Sequence, residues 1–74
     1  MKYIRVSYSY VHSTSVGGIR EIDYQTDKDD EKTITAEIEK EKGRLQSLAG
    51  DYKVGIYSWF TIKEPKNKDF CYKL

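Results

Sequence analysis

Lys2-Tyr3-Ile4-Arg5-Val6-Ser7-Tyr8-Ser9-Tyr10 is the stretch on which the fold turns. Ile4, Val6, Tyr8 and Tyr10 fall on one side of an extended chain, and Tyr3, Arg5, Ser7 and Ser9 on the other. A period of two built from β-branched and aromatic residues predicts a half-buried strand. Its apolar side needs a covering layer, and the rest of the chain supplies one. His12-Ser13-Thr14-Ser15-Val16-Gly17-Gly18 reads as a turn, because Gly-Gly permits positive φ and hydroxyls satisfy turn backbone. Ile19 to about Thr26 then forms a second strand with Ile22 and Tyr24 on the core side, completing a β-hairpin.

After the polar connector Asp27-Lys28-Asp29-Asp30-Glu31-Lys32 the period changes. Ile34, Ile38, Leu45, Leu48 and Ala49 recur at helical spacing, with Glu37, Glu39, Lys40 and Lys42 on the other side. Thr33 or Thr35 suits the N-cap, and Gly50 sits where a left-handed C-terminal residue is expected. Gly43 inside this helix costs about 1 kcal/mol relative to alanine, which points to a kink or a close approach to the sheet. Alternation returns from Tyr52 to Ile62. Val54, Ile56, Phe60 and Ile62 share the expected core face, and Lys53, Tyr57, Trp59 and Thr61 the other. Pro65 and Asn67 mark a Lys-rich turn, and Phe70, Tyr72 and Leu74 alternate over a stretch too short to fix whether a fourth strand forms.

The expected fold is α+β, with residues 1–74 as one domain. Its three- or four-stranded antiparallel sheet has the order 2-1-3, or 2-1-3-4 where the last strand forms. One helix packs on one face and leaves the other open. At 74 residues the chain lies near the lower limit for a self-sufficient core, so a partner subunit would add stability. Charged residues make up 34% of the sequence, but seven Tyr, two Phe, one Trp and the alternating Ile and Val residues are types that disordered chains lack.

A net charge of +1 sets up no global field toward nucleic acid, acidic membranes or acidic substrates. The lone Cys71 rules out an internal disulfide and fits a reducing compartment. No apolar run has the length of a membrane span or a signal-peptide core, so a cytoplasmic location away from membranes is expected. His12 and Cys71 are the only residues of their types, too few for a zinc site or for Cys–His catalysis. The acidic connector lacks the central glycine of a calcium loop. No enzyme, metal or cofactor is expected.

The open face carries the candidate site. Tyr3, Arg5, Tyr57 and Trp59 would lie there, flanked by Ser7, Ser9 and Lys53. Tyr, Trp and Arg dominate interface hot spots, so this face reads as a contact surface for a protein partner, a homodimer mate or stacked bases. Cross-strand stabilisation of the sheet is the competing account. The RNA-sheet signature of basic, glycine and aromatic residues is absent, which favours a protein. A second candidate is the hairpin loop. Ser13, Ser15, Gly17, Gly18 and Arg20 there have the chemistry to cradle an anion or a nucleotide, although an ordinary hairpin loop is the better account of them.

In layout the chain resembles small uncharacterised phage and prophage proteins. The resemblance rests on the Tyr-rich opening Tyr3 to Tyr10, Gly17-Gly18, the amphipathic stretch Ile34 to Leu48, and Val54-Gly55-Ile56-Tyr57-Ser58-Trp59-Phe60. The Asp27–Lys32 insert and the tail after Pro65 depart from that pattern. The resemblance implies a stoichiometric inhibitor of a host defence protein, as anti-CRISPR proteins are, or a sponge for signalling nucleotides.

Overall fold

The opening alternation is realised as strand β1 (Lys2–Val11), which pairs antiparallel with β2 (Gly18–Thr26) through a register that sets Val6 opposite Ile22. The computed structural model describes residues 2–15 and 17–74; Met1 and Val16 lie outside the described residues, and with Val16 goes that part of the predicted turn. Helix α1 (Glu31–Leu48) follows, then β3 (Lys53–Ile62), a 3-10 turn (Lys68–Phe70) and the short β4 (Cys71–Lys73). The sheet is mixed, in the order β3-β1-β2-β4. β3 lies antiparallel to β1, while β4 lies parallel to β2. The α+β class, the single covering helix and the 2-1-3 core of the sheet are as the sequence predicts. A fourth strand does form, but its predicted place beside β3 and the all-antiparallel sheet are not observed.

Packing explains the agreement. Ile4, Val6 and Tyr8 of β1 are fully buried, and Ile22, Tyr24, Val54, Ile34, Ile38 and Leu45 close around them. Each such aliphatic side chain contributes about 1.5–3 kcal/mol when taken from water, enough to hold the predicted face against the helix. The two core tyrosines meet edge to face, with ring centroids 6.5 Å apart, and their hydroxyls share a 2.9 Å hydrogen bond. Each buried hydroxyl thereby satisfies the other. Burial, ahead of every other influence, pushes the Tyr8 phenol up to about 12 and raises that of Tyr24 as well.

The helix begins earlier than expected. Asp30, not Thr33 or Thr35, is the N-cap: its carboxylate accepts the Thr33 backbone N–H at 2.8 Å and the Thr33 hydroxyl at 2.7 Å. Part of the predicted connector is therefore helix. Gly50, at φ +64°, ends the segment as predicted. Leu48 projects into solvent, and Gly43 has nothing near the position of a Cβ, so no close approach to the sheet explains that glycine. The Gln46 amide stitches α1 to β3, donating to the Tyr52 carbonyl at 2.7 Å and accepting the Val54 N–H at 2.8 Å.

Two departures reshape the open face. The first is a β-bulge. Ser7 pairs with Ser58 and Tyr8 with Ile56, so Tyr57 is the extra residue on β3. An extra residue reverses the alternation beyond it. Val54 and Ile56 face the helix as predicted, but Trp59, opposite Val6, also turns to the helix side and packs on the core. Phe60 and Ile62 go to the other face, opposite Arg5 and Tyr3.

The second departure is the route of the tail. β4 joins the β2 edge instead of the β3 edge, so residues 63–67 cross the face opposite the helix. Parallel neighbours require a crossover. The helix carries the chain from β2 to β3 over one face, and the tail returns in the opposite direction over the other. Both crossovers thus have the same hand, as the connection rule requires. The Lys66 backbone N–H donates to the Asp23 carboxylate at 2.9 Å, Pro65 is buried, and the Leu74 N–H reaches the Gln25 carbonyl at 3.0 Å.

Candidate functional site

The four residues predicted for the open face do not converge. Arg5 stays on that face, but its guanidinium clamps Asp23 directly across the β1–β2 ladder, with Nε at 2.7 Å and the second nitrogen at 3.2 Å. Asp23 thus accepts three hydrogen bonds, two from Arg5 and one from the tail. Arg5 foremost, against the opposing effect of burial, holds the Asp23 carboxyl below the usual range, and Asp23 holds Arg5 charged. Arg5 is consumed as a structural cation. Tyr3 is half-buried. Trp59 is removed to the helix side by the bulge, which corrects its predicted place on the contact face.

Two aromatics remain outward on β3, which forms the outer edge of the sheet. Tyr57, the bulged residue, is 68% exposed, and Phe60, which takes the side predicted for Trp59, is 48% exposed. Alternation alone did not reveal Phe60. The signal available was the run Tyr57-Ser58-Trp59-Phe60, in which two adjacent aromatics leave the side ambiguous as soon as a bulge is allowed.

The hairpin loop is built around a tilted ring contact. His12 packs on Tyr52 with centroids 5.0 Å apart, and the His12 Nδ1 accepts the Thr14 N–H at 3.1 Å. Ser15 reaches the Tyr52 hydroxyl at 3.5 Å. The Thr14 amide is therefore spent inside the loop. Ser13, Ser15, Gly17 and Gly18 are exposed, while Arg20 stands opposite Tyr8 within β2 rather than in the turn. A Cβ at Gly17 would collide with the Tyr10 carbonyl, so close backbone approach is what requires glycine there.

His12 and Cys71 stay apart. Cys71 pairs with Asp23, itself opposite Arg5, and His12 lies seven residues further along the chain, about 23 Å at about 3.3 Å per strand residue. Burial first, then the Asp23 charge, push the Cys71 thiol above its ordinary range. Among the described residues, no group of three or more His, Cys, Asp or Glu is placed to hold a metal ion, and no helix is long and apolar enough to cross a membrane.

No protein-family profile, no curated sequence and no solved structure matches the chain.

Proposed function

We propose that this chain is a non-enzymatic binding module that engages a protein partner through the outer strand β3, with Tyr57 and Phe60 as the contact side chains. The observation that carries the reading is their exposure on an edge strand while Arg5, which stands opposite Phe60, is tied to Asp23. Aromatic side chains are enriched at protein interfaces, and an edge strand offers them with few neighbours to move aside. The near-neutral charge and the tying of Arg5 to Asp23 favour a protein over a nucleic acid as the partner. A stoichiometric phage-type inhibitor of a host defence protein, the role implied by the layout, is a function that such a module serves.

Affinity capture from the lysate of the source cells, run beside the Tyr57→Thr/Phe60→Thr variant, tests the reading. A protein held in near-equal molar amount by the parent and lost by the variant supports it. Equal capture by both chains, or by neither, removes it.

A further inference from the structure

Among the described residues, half of β2 has no outer neighbour. β4 pairs only with Asp23, Tyr24 and Gln25, which leaves Gly18–Ile22 unpaired on the outer side. The Gln25 carbonyl points outward, since it accepts the Leu74 N–H. Along a strand the backbone groups of alternate residues point the same way, so the N–H and C=O of Glu21 and Ile19 face this open edge. The line of β4 simply stops there, because the chain turns away through Lys68–Phe70.

Grooves flank this edge on both faces of the sheet. On the side of the tail, a cleft of about 450 Å³ runs between β2 and the crossover, walled by Ile19, Glu21, Asn67 and Phe70 among others. On the helix side, a cleft of about 230 Å³ is walled by Arg20, Ile22, Arg44, Leu45, Leu48 and Tyr72. Ile19, Phe70, Leu48 and Tyr72 are each at least half exposed, so large apolar side chains left in water ring this one edge. The charges differ between the two sides. In the tail-side cleft, Lys66 is neutralised by Glu21 at 3.3 Å and Arg5 by Asp23, while Arg20 lies at the edge that both clefts share. The helix-side cleft contains two arginines and no acid. Arg44 is likewise neutralised by Glu41, so Arg20, which has no ion-pair partner among the described residues, is the cation that this cleft offers.

We propose that the free half of β2 is a strand-addition site for an extended acidic peptide about five residues long, which continues the line of β4. Its backbone pairs with Ile19 and Glu21. Alternate side chains of a strand point to opposite faces, so one set enters each cleft. Carboxylates lie toward Arg20 with their stems on Leu45 and Leu48, and apolar side chains lie toward Ile19 and Phe70. β3 is the poorer ladder template despite its length, because the bulge at Tyr57 interrupts it. The inference stands apart from the proposed β3 contact.

The probe is an acetylated and amidated six-residue peptide alternating valine and glutamate, titrated into the full chain at 0.15 M salt. The expected result is a saturable shift of the Ile19 and Glu21 amide resonances with slowed exchange of those amides. Binding should be at least tenfold tighter than for the valine–lysine counterpart. Arg20→Glu/Arg44→Glu should reverse that preference, and Tyr57→Thr/Phe60→Thr should leave it intact. N-methylating one alternate set of peptide amides should abolish binding, whereas the other set tolerates it. Equal binding of the lysine peptide, indifference to both N-methyl sets, or no shift at Ile19 and Glu21 would overturn the proposal. So would amides already protected in a concentration-dependent dimer, which would assign the edge to a second copy.

Discussion

Arg5 and Asp23 stand opposite each other on β1 and β2, and the carboxylate that takes two hydrogen bonds from the guanidinium also takes the Lys66 backbone N–H of the crossing tail. One acidic side chain thus joins both central strands to the segment that delivers β4. The pair lies on the sheet face away from the helix, where the tail shields it.

Asp23→Asn should destabilise the fold by about 1–2 kcal/mol at neutral pH, from the weakening of hydrogen bonds to a charged group. The Asp23 pKa is lowered in the folded chain, so its contribution is complete above the unfolded value near 4 and disappears as pH falls through the lower folded value. Denaturant melts of parent and variant should differ at pH 7 and draw together below pH 4. A gap that persists unchanged at pH 2 would show that the carboxylate's charge is not responsible.

Tyr8→Phe should cost about 1–2 kcal/mol, because the Tyr24 hydroxyl would remain buried without its partner. The double change Tyr8→Phe/Tyr24→Phe should cost less than the two single changes added together. Urea unfolding of the four proteins closes the cycle, and strict additivity would mean that the hydroxyls do not depend on each other.

Trp59 and Phe60 should separate by face. Trp59→Ala should lose about 2 kcal/mol, less than a fully buried tryptophan, while Phe60→Thr should change stability by less than about 0.5 kcal/mol. Thermal melts read both. The reverse ranking would place the bulge elsewhere on β3.

Gly43→Ala should stabilise the chain by about 1 kcal/mol, since the position is helical, exposed and free of neighbours. Gly17→Ala should do the opposite, because the added methyl meets the Tyr10 carbonyl. A pair of melting curves with both variants shifted in the same direction would contradict this placement.

Of the four residues predicted for the open face, only Tyr57 is exposed. Tyr3 and Arg5 do lie on the predicted face, but burial and the Asp23 pairing withdraw them from contact. Alternation puts Phe60 in the core and Trp59 on the surface because it counts residues, and the adjacent aromatics Trp59-Phe60 leave the side ambiguous without fixing where a bulge adds one. The free β2 edge was invisible for another reason: it exists only because β4 is short and lies on that side.

The local patterns of this chain determined its hairpin, its amphipathic helix, the helix stop at Gly50 and the burial of Ile4, Val6 and Tyr8, because periodicity and turn chemistry act over a few neighbouring residues. The tertiary structure alone decided which face Trp59 occupies and which edge β4 joins. Those choices come from contacts made far along the chain, Val6 against Trp59 and Asp23 against Lys66, whose energies no local stretch contains.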